Sequence, residues 1–126
     1  MMQPFTYTTD LSQVRSLAEA QAREAGLADD RVVDFVLAVS EVAANTIRHA
    51  RSAGSMRIWS DGEALTCEIR DAGVITDPLA GAHKPAPDAT GGHGLWLVRE
   101  VCDLVELHSD ENGTVIRLHM DLPAPG

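Results

Sequence analysis

The chain has 126 residues, 44% of them hydrophobic, which fits one globular domain with a single core and excludes a disordered tail. Its formal net charge of −9, with no basic stripe, argues against nucleic acid and against an anionic membrane surface as partners. No apolar run approaches the roughly 18 residues of a membrane span, and the start MMQPFTYTTD lacks the charged and apolar regions of a signal peptide, so a cytoplasmic location is expected.

Phe5–Thr8 reads as a short edge strand. Asp10 then caps a helix, with Gln13 at the capping-box position. Leu11, Val14, Ala18, Ala22 and Ala25 give this helix its buried side, small enough to let a neighbour approach closely, and Gly26 stops it. A second helix runs from Arg31 to about Ala50, with Asp29 or Asp30 placed to cap it. In it Val33, Val36, Leu37, Ser40, Ala44 and Ile47 recur at helical spacing, so this side is expected to face the core. Glu41 and Asn45 stand one turn apart beside that stripe. A carboxylate stacked on an amide at a core edge suits oxygen chemistry: a base for water or a hydroxyl, and a neutral ligand for a hard cation such as magnesium. A helix flank with two solvated polar groups would show the same spacing, and this helix alone does not decide between the two.

Ser52–Ser55 reads as a turn. Met56–Ser60 and Ala64–Arg70 alternate as strands, with Met56, Ile58, Leu65, Cys67 and Ile69 inward and Asp61–Gly62 as a hairpin turn. The second strand ends at Asp71-Ala72-Gly73. Val74–Thr90 has three prolines and no period, which is long for a connection in a compact domain and typical of a lid or binding loop. Gly91-Gly92-His93-Gly94 closes it, and helical spacing resumes through Leu95, Val98 and Cys102. Leu104–Ser109 and Thr114–Met120 form a last hairpin around Asp110–Gly113, and Leu122–Gly126 is a tail. The order is β-α-α-β-β-lid-α-β-β, which predicts one domain, 1–126: a two-layer α+β sandwich with a mostly antiparallel sheet and three helices on one face.

Each chemistry-bearing stretch is weak by itself. Asp71 at a sheet end offers an acceptor for an exocyclic amine, and Gly73 lets a flat base lie against the backbone. Gly92-His93-Gly94-Leu95 opens a helix whose free amides and positive dipole end suit a phosphate. It is not the Walker pattern, since no Gly-Lys-Ser/Thr follows, and no βαβ unit surrounds it. Their joint order describes one nucleotide site: base at Asp71, phosphates under Gly92–Leu95, magnesium at Asn45 and chemistry at Glu41. Arg48 and His49 could reach phosphates or cap their helix, with capping favoured, and Lys84 could meet the γ-phosphate but reads better as a solvated loop lysine. His83, His108 and His119 have no metal-ligand spacing, Trp59 and Trp96 read as packing residues, and Cys67 and Cys102 as buried thiols of a reducing compartment.

With Glu41-Val-Ala-Ala-Asn45, Asp71-Ala-Gly73 and Gly92-His93-Gly94 in hand, the chain resembles the GHKL (histidine kinase-like) ATPase superfamily from Leu11 to Leu122. More closely it is similar to the anti-sigma-factor serine/threonine kinases of bacteria (RsbW- and SpoIIAB-like), and Ile69–Gly81 with Gly92–Val105 looks like their actinobacterial branch. The resemblance implies a Bergerat ATP-binding fold with ATP and Mg²⁺ as cofactors. Glu41 would polarise the attacking hydroxyl, Asn45 would hold magnesium, and Asp71 would bind adenine. Thr114 matches a residue placed near adenine through water. The family's first glycine box is Asp-x-Gly-x-Gly, but here it reads Asp71-Ala-Gly73-Val-Ile75, without the second glycine. The implied partners are a sigma factor and a STAS-domain anti-sigma-factor antagonist, with a homodimer implied as well. The implied activity is phosphorylation of the antagonist and sequestration of the sigma factor. A binding module of the same fold, working without catalysis, is the second expectation, and the missing glycine at Ile75 favours it.

Overall fold

The computed structural model describes residues 5–7, 11–50, 54–71 and 93–123, and within them the elements follow the expected order. They are β1 (Phe5–Tyr7), α1 (Leu11–Ala25), α2 (Asp29–Ala50), β2 (Gly54–Ser60), β3 (Ala64–Asp71), α3 (His93–Val101), β4 (Leu104–Asp110) and β5 (Gly113–Asp121). The strands form one antiparallel sheet in the order β1-β2-β3-β5-β4. The Asp10 cap and the lid over Val74–Thr90 lie outside the described residues.

Alternation places Met56, Leu65, Cys67, Ile69, Ile116, Leu118 and Met120 on the helix side of the sheet, and all are buried there. Between β2 and β3, Asp61 Oδ1 accepts the amides of Glu63 and Ala64, each at 2.9 Å. Gly62 sits at φ +91°, a conformation that suits glycine. The amides of Ala64 and Glu63 hold the Asp61 carboxyl below its ordinary range. Val14, Ala18 and Ala22 are fully buried on α1, with Leu11 and Ala25 packed at the margin of the core.

Helix α1 ends in a Schellman motif. The Leu27 amide reaches Ala22 O at 3.2 Å, the Gly26 amide reaches Arg23 O at 3.1 Å, and Leu27 folds into the core. Gly26 has φ +96°, and a methyl built there would meet no atom within 4 Å. Gly26→Ala is therefore expected to cost about 1–2 kcal/mol from backbone strain alone, read as a lower urea midpoint with no change in slope.

Two expectations for α2 are corrected. Asp29 and Asp30 lie inside its first turn, where they complement the helix dipole, because the first helical bond runs from Val32 N–H to Ala28 O at 2.9 Å. The buried side is also displaced by one residue. Val32, Phe35, Ala38, Val39, Val42 and Ala43 face the core, whereas Val33 is 64% and Leu37 38% exposed, and Val36, Ser40 and Ala44 are half-buried. Phe35 with three β-branched valines fills far more volume than a stripe containing Ser40 and Ala44, so the sheet takes that side.

Candidate functional site

The inner apolar surface of the sheet ends in a polar row. Ile69 pairs with Ile116, and two residues further along β3, Asp71 pairs with Thr114. Thr114 in turn pairs with Ser109 on β4. The period of two puts all three on the helix side. Thr114 is buried at 2% exposure, its hydroxyl shares a hydrogen bond with Ser109 Oγ at 2.8 Å, and Asp71 is half-buried beside it. Sequence reasoning did not single out Ser109; its position opposite Thr114 across the last hairpin was the available signal.

The same end of the sheet receives α2 and α3. Helix α2 reaches β2 after three residues, and the start of β2 lies against the end of β3, through Ser55 and Arg70. Helix α3 finishes where β4 begins, at the far end of the sheet, because Leu104 pairs with His119. Its first turn, with His93, Gly94 and Leu95, therefore lies toward the Asp71–Thr114 end. A latch fixes this antiparallel arrangement. Arg31, near the start of α2, donates through Nη1 to Asp34 and to Val101 O, each at 3.0 Å, and through Nη2 to Asp103 at 3.1 Å. Asp103 also accepts the Asp121 amide at 2.8 Å, tying α3, β4 and β5 together.

Asp34, Ala38, Glu41 and Asn45 follow one another along one side of α2. Asp34 belongs to the latch on α3, so this is the α3-facing side, and Glu41 and Asn45 sit on it at the α2 half that leads to the polar row. Both are half-buried, and neither makes a hydrogen bond or ion pair among the described residues. A half-buried amide whose carbonyl oxygen has no partner among the described residues fits magnesium, which ordinarily takes one or two protein groups and fills its shell with water and phosphate oxygens. Among the described residues no group of three or more His, Cys, Asp or Glu is placed to hold a metal. Gly73 and Gly92 lie outside the described residues, as does Ile75. The structure thus brings Asp71, Thr114, Glu41, Asn45 and the His93–Leu95 turn toward one end of the fold.

Other polar groups serve different ends. Burial pushes the Cys67 thiol upward and the Cys102 thiol up to about 12, so both stay neutral and neither is a nucleophile. His119 contacts Thr66 through Nδ1 at 2.9 Å and Glu106 through Nε2 at 2.7 Å, on the sheet face away from the helices. On that face Glu68, only 4% exposed, bonds Arg70 Nε at 2.7 Å and Arg117 Nε at 2.8 Å. Burial opposes its charge, but the hydrogen bonds from Arg70 and Arg117 outweigh burial and hold the carboxyl below its ordinary 4.5. A depressed native pKa means stability that is present above the unfolded value and lost as pH falls through the native one. The urea midpoint is therefore expected to drop as pH is lowered below about 4.5, with a shallower drop in Glu68→Gln.

No helix of the described chain is long and apolar enough to cross a membrane. In fold, the chain is similar to the catalytic domain of histidine kinase ThkA in a nucleotide-free form, with TM-score 0.60, 16% identity, and coverage of 94% of this chain and 95% of that one. It is also similar to the Erythrobacter litoralis EL346 blue-light activated histidine kinase, with TM-score 0.60, 19% identity, and coverage of 88% of this chain and 41% of that one. No curated protein matches the chain in sequence. The histidine kinase-like ATPase domain family matches residues 5–120, and with nearly the whole chain matched and the α+β architecture of such catalytic domains in place, the protein belongs to that family.

Proposed function

We propose that this domain binds ATP with Mg²⁺ at the Asp71–Thr114 end of the sheet and transfers the γ-phosphoryl group to a serine or threonine of a STAS-domain anti-sigma-factor antagonist. In its other state it holds a sigma factor in the cytoplasm. The single observation that carries the nucleotide site is the convergence of the Asp71–Thr114–Ser109 row with the α2 half bearing Glu41 and Asn45. Asp71 accepts the exocyclic amine of adenine, with the Thr114 hydroxyl beside it. The phosphates are assigned to the start of α3, where the Gly92–Leu95 motif lies, because a helix N-terminus suits an anion. Asn45 Oδ1 is the protein ligand for magnesium, which when bound neutralises phosphate charge. Glu41 takes the proton of the attacking hydroxyl, and the rest of catalysis is positioning. The protein kinase activity, the sigma factor and the antagonist rest on the resemblance of the Glu41–Asn45 and Gly92–Gly94 motifs. A homodimer rests on the same footing.

Calorimetry with ATP and magnesium tests the site. A hydrogen bond to a charged group contributes about 1.5–3 kcal/mol, so Asp71→Asn is expected to weaken ATP binding about tenfold to a hundredfold. A second proposal is favoured by Ile75 standing where the family has glycine: a module that regulates the sigma factor or antagonist by binding alone. Absence of binding heat in the unaltered protein, with retention of the partner, selects it.

A further inference from the structure

The sheet face turned away from the helices carries a charge pattern that the nucleotide site does not use. Arg57 pairs with Glu68, Glu68 with Arg117, and Arg117 with Glu106, so the four stand in one row across β2, β3, β5 and β4. Arg70 lies two residues beyond Glu68, on the same face of β3. The two oxygens of buried Glu68 are each taken by an arginine Nε, from Arg70 and from Arg117. Those bonds use the inner nitrogen only. The terminal Nη groups of both arginines hold no partner among the described residues, and exposed Arg57 makes no bond there at all. Beside them opens a hollow of about 380 Å³ lined by Arg70, Glu106, Leu107, His108, Val115 and Arg117.

A carboxylate that grips two guanidiniums by Nε restrains both side chains and leaves uncommitted the outer edge, which is the part that takes a carboxylate in bidentate fashion. The row of four is neutral, and Arg70 beside it leaves the patch around Glu68 with one net positive charge on a chain whose formal charge is −9. The field of the whole molecule favours basic partners, and Asp121 stands further along the same face of β5, so the arginine patch is a local exception, of use only to an anionic group in direct contact. Exposed Glu106 lines the same hollow. A dianionic phosphate would meet that like charge, whereas single carboxylates set apart along a chain can address the arginines separately. Arg57 and Arg117 are two strands apart, about 9–10 Å. Three residues of extended polyproline-type chain span about 9 Å. We propose that this face docks an extended acidic segment of a protein partner, whose carboxylates three residues apart meet Arg57 on one side of Glu68 and the Arg70–Arg117 pair on the other.

The test is fluorescence anisotropy on the nucleotide-free chain with a labelled Glu-Pro-Pro-Glu-Pro-Pro-Glu peptide at low salt. Saturable binding is expected, weakening as salt rises. Arg57→Glu, which removes no bond among the described residues, should keep the unfolding midpoint and bind about tenfold more weakly, the size of one charge-assisted contact. Arg57→Glu should not weaken binding of the matching lysine peptide, and Asp71→Asn should bind the acidic peptide as the unaltered chain does, which separates this surface from the nucleotide site. No binding, equal binding by Arg57→Glu, or displacement of the peptide by inorganic phosphate at matched ionic strength overturns the proposal.

Discussion

Glu41→Ala is expected to abolish most of the proposed phosphoryl transfer to a serine- or threonine-bearing antagonist while leaving ATP bound. A positioned general base contributes about 100- to 10,000-fold to rate. Glu41 stands on the α3-facing side of α2, half-buried and without a partner among the described residues, so its removal breaks no bond among them. Binding heat for ATP and magnesium should remain, since the proposed adenine contact lies at Asp71 and the proposed magnesium ligand is Asn45. The measurement is single-turnover transfer of labelled phosphate, beside calorimetry on the same preparation. Transfer at an undiminished rate would remove Glu41 from the reaction. Loss of both binding and transfer would make it part of the nucleotide site rather than the base.

The contrast with Asp71→Asn is informative because the two residues reach the site by different routes. Asp71 arrives by strand register: β3 pairs with β5, not with the strand that follows it in the chain. Glu41 arrives by helix packing, fixed by Arg31 holding Val101 and Asp103. A substitution at Arg31 would disturb the second route and spare the first.

Much of this was legible in the residues. Period-two alternation identified the inward faces of β2 and β3, and Asp61–Gly62 marked their hairpin because an aspartate bonding the next amides and a glycine at positive φ are local requirements. Gly26 ended α1 for the same kind of reason. Features set by distant partners were not legible. Alternation puts Glu68 on the outward face, yet it is buried, because the arginines at Arg70 and Arg117 close over it, and pairing with β5 cannot be read from β3 alone. The Arg31 latch depends on packing between segments 70 residues apart in the chain. Candidate residues could be named from their motifs, but that α2, α3 and the ends of β3 and β5 meet at one end is a property of topology.

The face of α2 is where sequence periodicity misled, and Phe35→Ala measures why. The helix carries apolar residues on more than one side, so a stripe through Val33, Leu37 and Ala44 and a stripe through Val32, Phe35, Val39 and Val42 both repeat at helical spacing. Volume decides between them. Phe35 is fully buried, whereas Val33 is 64% exposed. Truncating a buried phenylalanine costs about 3–5 kcal/mol, through lost transfer energy and the cavity left behind. Against a typical domain stability of about 5–15 kcal/mol, that is enough to leave the variant marginal or unfolded near body temperature. Val33→Ala, an exposed change, should stay within about 0.5 kcal/mol. Urea titration of the three proteins checks this: the Phe35→Ala midpoint should fall steeply and the Val33→Ala midpoint should hardly move. Equal losses would mean that the outer stripe of α2 is also covered.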